Sequence, residues 1–202
     1  MTTHMYLTPK DQGRALSREE FEHADSQEGY HYELIDGKLE VSPLPEMMHD
    51  DLQDWLRDKL KDYARHHPEI INLVKEPARV FVPGRQATTA PEPDVAAYRD
   101  FPLDLPSRQR RWRDFSPILV VEVLSEDTAD KDLVRNRDLY LQVPSIREYW
   151  IIDPRDDAEQ PSLIVYRRRG QRWQLPIEIA GGDTYTTRLL PDFQLILTVS
   201  EQ

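Results

Sequence analysis

Two stretches decide the reading of the fold: Pro91-Glu92-Pro93-Asp94-Val95-Ala96-Ala97-Tyr98 and Ile118-Leu119-Val120-Val121-Glu122-Val123-Leu124-Ser125. Each is a short apolar run bearing a carboxylate. Asp94 follows two prolines at the mouth of an expected strand, and Glu122 sits among Ile, Leu and Val. Strand alternation puts Val120, Glu122 and Leu124 on one side and Val121 and Val123 on the other. An acid on a buried face is costly unless it is paired, protonated or bound to a cation. Two such acids on neighbouring strands suit a divalent metal, because hard cations prefer carboxylate oxygens. The plainer alternatives are a turn role for Asp94 after Pro93 and a strand-edge Glu122 that reaches solvent or an arginine.

The totals bound the rest. A chain of 202 residues, 31% charged and 39% hydrophobic, is enough for one domain with a real core. The expected division is a polar leader over 1–16 and a single domain over 17–202. Sixteen prolines against 7 glycines suggest stiff loops. The absence of cysteine excludes disulfides and thiolate zinc sites. No apolar run approaches the ~18 residues of a membrane span, and residues 1–13 lack a signal-peptide core. A cytoplasmic protein with no membrane partner is the expectation. The net charge of −11 argues against a broad nucleic-acid surface. It leaves two local basic strips, 108–113 and 167–173, which also read simply as a solvated loop and a hairpin turn.

Along the chain, Ser17-Arg18-Glu19-Glu20 reads as a capping box for a short helix. Asp36-Gly37 between apolar alternations signals a hairpin with arms 32–35 and 38–42. The spacing of Leu52, Trp55, Leu56, Leu60, Tyr63 and Ala64 predicts a helix over 49–67. Strands are expected at 70–74, 78–82, 94–98, 117–124 and 148–152, with a helix over 128–142 making the crossover between the last two. A hairpin over 162–175 and strands at 184–190 and 193–199 complete one α/β domain.

Among polar residues, Glu33 is a third acid, either a cross-strand ion pair on its hairpin or part of a metal's outer shell. Phosphodiester chemistry also wants a cation near the acids. On the crossover helix, Leu133, Asn136, Tyr140 and Leu141 fall on the inward face, while Lys131, Arg135, Asp138 and Gln142 fall on a more exposed stripe. The inward polar position thus holds an amide, with Arg135 and Arg137 beside it. The histidines form no evident site. His49 reads first as a helix cap and second as a contact near the site, and His66 and His67 read as helix-end cations.

Tyr32-Glu33-Leu34-Ile35-Asp36-Gly37, Pro93-Asp94-Val95, Val121-Glu122-Val123-Leu124-Ser125, and Tyr140 followed by Val143-Pro144-Ser145-Ile146-Arg147-Glu148-Tyr149-Trp150-Ile151-Ile152-Asp153 form an ordered set. The set resembles the Uma-two family of restriction-endonuclease-like proteins across roughly 17–197. The resemblance implies an α+β nuclease core, a mixed central sheet flanked by helices, with Mg2+ (or Mn2+) as cofactor. It makes Asp94 and Glu122 the metal-binding acids and Glu33 the acid of the early hairpin. The pattern departs in two places. Leu124 stands at the simple lysine position, and Asn136 stands where the family commonly moves that lysine, four residues before the tyrosine.

The implied function is a magnesium-dependent endonuclease hydrolysing DNA by a metal-activated water. Asp94 and Glu122 would bind metal, and Glu33 would orient a metal-bound water or base. Lys131, Arg135 or Arg137 would meet phosphate in place of the missing lysine. Two other readings stand beside it: a nuclease fold kept as a binding or regulatory module, and a homodimeric structural protein joined through its Trp- and Arg-rich loops.

Overall fold

The computed structural model describes residues 5–44, 47–125 and 131–199. In chain order the elements are β1 (Tyr6–Leu7), α1 (Arg18–His23), β2 (Asp25–Ser26), β3 (Tyr30–Ile35), β4 (Lys38–Pro43), α2 (Met47–His66), β5 (Leu73–Lys75), β6 (Val95–Tyr98) and β7 (Leu119–Val123). A π-turn over Lys131–Asn136 then runs into α3 (Arg137–Leu141). The remainder is β8 (Glu148–Asp153), β9 (Ser162–Arg169), β10 (Arg172–Trp173), β11 (Ile177–Ile179), β12 (Thr184–Thr186) and β13 (Gln194–Ile196).

The central sheet runs β5-β6-β7-β8-β9, with β10 and β11 both pairing β9. Among the described pairings of this sheet only β7 with β8 is parallel, the two joined by the crossover that carries the π-turn and α3. β7 is buried at every position, as a continuous apolar run in a sheet covered on both faces should be. Its alternation falls as expected. Leu119, Val121 and Val123 join one core with Leu52, Leu56 and Leu60 of α2, Trp150, and Phe193 and Leu195 from the C-terminal hairpin. Val120 and Leu124 join a second core with Tyr140, Val143, Ile146, Tyr149 and Ile151. Each fully buried leucine contributes about 1.5–3 kcal/mol relative to exposure.

A separate two-stranded layer, β3–β4, turns at Asp36 and Gly37, both at positive φ (49° and 74°), as a tight hairpin of right-handed strands requires. A Cβ at Gly37 would stand 3.1 Å from that of Ala87, so that position has little room as well as an unusual backbone. Leu34 bridges to Ala90, which ties this hairpin to the approach of β6. Residues 5–16, expected as a polar leader, instead send Leu7 and Leu16 into a third core with Phe21, Tyr32, Leu34 and Leu39. The capping box at Ser17 forms, with the Glu20 amide donating to Ser17 Oγ and the Ser17 amide to Glu20 Oε2.

Some boundaries shift. Residues 78–82 make backbone hydrogen bonds to Thr89 and Pro91 without forming a strand. The strand expected at 70–74 is Leu73–Lys75. The start of the crossover helix at 128–130 lies outside the described residues. A second buried acid, Glu148, fastens the C-terminal hairpin to β8: it accepts from Trp150 Nε1 (2.8 Å), Tyr185 OH (3.0 Å) and Thr187 Oγ1 (2.5 Å). Four of the eight arginines in the two basic strips are consumed locally. Arg113 pairs with Glu22 and Arg111 with Asp114, while Arg167 meets Glu148 and Arg168 caps α3 through the carbonyls of Tyr140, Leu141 and Val143.

Candidate metal centre

The antiparallel pairing of β6 with β7 sets Val95 opposite Val121. Asp94, one residue before β6, therefore lies beside Glu122. The Asp94 amide donates to Glu122 Oε2 (3.2 Å), and the Val123 amide donates to Asp94 Oδ2 (2.7 Å). Two acids 28 positions apart are thus laced by each other's backbone. Glu122 is 2% exposed. Its Oε1 accepts from Tyr140 OH (2.7 Å) and Asn136 Nδ2 (2.9 Å). The Asp94 side chain keeps 13% exposure, so the pair opens to solvent on the Asp94 side.

The two carboxyls titrate in opposite directions. Burial, and then the neighbouring Asp132 and Asp94 charges, push Glu122 well above the ordinary carboxylate range. Asp94 is pulled down: burial opposes its charge, but His49 and the Val123 amide outweigh that. Separated pKa values in one cluster are what acid–base and metal chemistry use.

Glu33 arrives from β3 and is 3% exposed. Its Oε2 meets Lys131 Nζ (3.2 Å) and Arg135 Nη2 (2.8 Å), and its Oε1 accepts from the Glu92 amide (3.0 Å). Burial raises this carboxyl, yet Lys131 and Arg135 overcome that and leave it lowered. Arg135 also pairs with Glu40. With its oxygens so occupied, Glu33 faces Lys131 and Arg135, not open solvent.

The winding of the crossover decides who faces whom. Asn136 is fully buried, as its place on the inward face implied, and donates to both Glu122 and Asp132 Oδ1 (3.0 Å). Lys131 and Arg135, expected on the exposed stripe, are half-buried on Glu33 instead. The π-turn is the reason. Hydrogen bonding from i to i+5 widens the turn and carries position 131 toward the side occupied by 136. Burial opposes the Lys131 charge, but Glu33 first, and then Glu122 and Asp132, hold its ammonium well above its ordinary value. Arg137 pairs with Asp138 and stands apart from the acids.

Asp132 had no sequence signal pointing here, and for His49 a contact near the site was the second reading after a cap. Asp132 is 3% exposed beside Asn136, its carbonyl accepting from Tyr149 OH (2.9 Å). His49 is in the first turn of α2, not a cap. Its Nε2 lies 3.0 Å from the Val123 carbonyl and 3.3 Å from Asp94 Oδ2. An acid or histidine that a helix aims at a site shows only when the winding and the neighbouring strand are both known.

Among the described residues, no three acids or histidines converge as a ready metal cage, since Glu122 gives its oxygens to Tyr140, Asn136 and the Asp94 amide. Asp94 and Glu122 are nevertheless side by side on adjacent strands, and carboxylate oxygens are the donors that hard divalent cations prefer.

A family model described as "Putative restriction endonuclease", Uma2, matches residues 18–200. No curated protein matches the chain at a significant level. Among solved structures, a "putative nuclease belonging to DUF820" from Anabaena variabilis superposes with a TM-score of 0.62 at 20% identity, covering 91% of this chain and 95% of that one. At that identity the likeness is one of fold, and it agrees with the α+β, mixed-sheet architecture. No described helix is long and apolar enough to cross a membrane. The match over residues 18–200, nearly the whole chain, places this protein in the Uma2 family, whose model is described as that of a putative restriction endonuclease.

Proposed function

We propose that this protein is a divalent-cation-dependent endonuclease that hydrolyses DNA phosphodiesters by direct attack of water. The observation that carries the reading is the Asp94–Glu122 contact with Lys131 held beside it by Glu33. Asp94 and Glu122 would hold a Mg2+ or Mn2+ ion. When bound, such an ion polarises the phosphate and lowers the pKa of a water ligand. Lys131 would donate to a phosphate oxygen as negative charge builds there, the task left open by Leu124 and Asn136. Glu33 aims Lys131 and Arg135, and Tyr140 and Asn136 fix the Glu122 carboxyl. In this reading Glu33 positions cations instead of orienting water.

A second reading, a nuclease fold that binds without cutting, is favoured by Asn136 at the family's lysine position and by the net charge of −11. The homodimer expected from the sequence rests on the sequence alone.

The test is nicking of supercoiled DNA with magnesium or manganese. Wild type should nick. Asp94→Ala should not, and Lys131→Ala should slow cleavage by about 10²-fold, as loss of one donor to a developing oxyanion does. Lys131→Ala/Asn136→Lys should recover part of that loss, because an ammonium at 136 would sit between Glu122 and Asp132. A wild type that nicks nothing, or an Asp94→Ala that nicks equally, removes the nuclease reading.

A further inference from the structure

The outer edge of the sheet carries an unusual charge pair. There β10 and β11 both pair β9, with Arg172 directly opposite Arg169 and Ile177 opposite Val165. Opposed residues share a face, as do alternate residues along one strand. Arg167, Arg169, Arg172 and Ile177 therefore point to the side of Val165. Val165 packs in the core with Val121 and Val123, so this is the sheet face turned away from Glu122. Like charges directly opposite on a hairpin destabilise it. The chain has 37 acids with which to offset such a pair. Among the described residues none does so: Arg169 and Arg172 are exposed, and neither side chain has a hydrogen-bond or ion-pair partner. Glu178, the one acid of β10 and β11, falls on the other face, opposite Ile164.

Arg167 adds a third guanidinium. Glu148 (3.4 Å) and Tyr185 OH (3.1 Å) fix it in place, while its buried Nε makes no hydrogen bond. The three arginines, Gln174, Leu175 and Ile177 line an open hollow of about 620 Å³. Its far end is apolar: Leu175 is 88% exposed and Ile177 39%. The strand from Arg169 to Val165, the residue opposite Ile177, rises about 13 Å. Pro176 interrupts the edge between β10 and β11 and has no N–H, so an added strand does not suit it. A ligand seated on the face does. Guanidinium forks bind phosphate oxygens bidentately. A phosphate dianion between Arg169 and Arg172 turns their repulsion into shared attraction.

We propose that this hollow binds an organic phosphate, with the phosphate group between Arg169 and Arg172 and the organic part over Leu175 and Ile177. The site is separate from Asp94 and Glu122 and does not depend on the nuclease reading. The same phosphate chemistry occurs in a free nucleotide and at the 5′-phosphorylated end of a DNA strand.

The test uses the full chain in chelator-treated buffer and calorimetry with ADP, with pyrophosphate, and with an oligonucleotide carrying or lacking a 5′-phosphate. Wild type should bind ADP with a Kd of about 1 mM or tighter. Arg169→Gln with Arg172→Gln should weaken ADP and pyrophosphate at least about tenfold, since two charge-assisted contacts are removed. Leu175→Ser with Ile177→Ser should weaken ADP and leave pyrophosphate unchanged. Without ligand, the glutamine variant should unfold at the same temperature as wild type or higher, because the repulsion is gone. With ADP, only wild type should gain stability. A 5′-phosphorylated strand bound more tightly than ADP places the source of the phosphate in nucleic acid, and the reverse order places it in a free nucleotide. Wild type that binds neither, or binding untouched by the arginine substitutions, overturns the site. So does polyglutamate or the unphosphorylated strand bound as tightly as ADP, which would mark a nonspecific attraction of anions.

Discussion

Glu122 shows how much a single residue can disclose. An acid in a run of branched aliphatics announces itself, and its strand neighbours fix which face it takes. Its titration is the quantity to test. In the folded chain its pKa is raised well above the ordinary 4.5. Above pH 4.5 the unfolded chain has released a proton that the folded chain still holds. Stability therefore falls as pH rises from about 4.5 toward the raised folded-state value. Glu33 works in the opposite sense: its lowered pKa gives stability that is full above 4.5 and lost as pH falls through the folded value. In chelator-treated buffer, Glu122→Gln should lose the first slope. Relative to wild type it should gain stability as pH rises from about 5 to about 8. Urea unfolding at the two pH values measures this, and a variant whose offset from wild type stays constant would mean that Glu122 ionises normally. Asp132 and His49 carry weaker signals, because acids and histidines are ordinary near helix starts. What distinguishes them is the charge of Asp132 near Glu122 and the hydrogen bond of His49 to the Val123 carbonyl.

At the level of elements, patterning locates α2, the β3–β4 hairpin, β7 and β8 well, because each has a strong period or a diagnostic turn. It places the crossover correctly but winds it wrongly. Periodicity assumes α-helical spacing throughout, and nothing in Lys131-Asp132-Leu133-Val134-Arg135-Asn136 announces a π-turn. That local widening changes which cation meets Glu33, so a small difference of geometry becomes a functional one. The element is held at its other end by Arg168. Its Nη2 donates to the carbonyls of Tyr140 (3.0 Å), Leu141 (2.9 Å) and Val143 (2.9 Å), and its Nε donates to that of Ile146. Its guanidinium lies 5.0 Å over the Trp173 ring. These carbonyls at the end of α3 carry the negative end of the helix dipole. Arg168→Ala should destabilise the protein by about 2–4 kcal/mol, given about 1.5–3 for a typical hydrogen bond to a charged group and the carbonyls left without a donor. Arg168→Lys should recover less than half, since an ammonium cannot reproduce the planar fork. Chemical denaturation reads both, and an alanine variant within about 0.5 kcal/mol of wild type would show that α3 needs no such cap.

For the whole molecule, the unusual combination is an acidic chain carrying a proposed DNA-cutting site. The net charge of −11 repels a polyanion at long range. Half of the arginines in the two basic strips, Arg111, Arg113, Arg167 and Arg168, are spent on Asp114, Glu22, Glu148 and the end of α3. At the site itself, Lys131 and Arg135 already share Glu33, and Arg137 is engaged by Asp138. If DNA is the substrate, contact with it is local, made by the bound cation and a few side chains near the π-turn. The salt dependence of binding tests this footprint directly. Each neutralised phosphate contributes about −0.9 to the slope of log affinity against log salt, so two or three contacts give a slope of about −2 to −3. With the cleavage-dead Asp94→Ala protein, a fourfold rise in salt should then weaken duplex binding by about 10- to 60-fold, and Arg135→Ala should flatten the slope by about one. A slope near about −8 would require a basic surface far larger than the described residues provide, and would point to DNA engaged through an assembly of several chains.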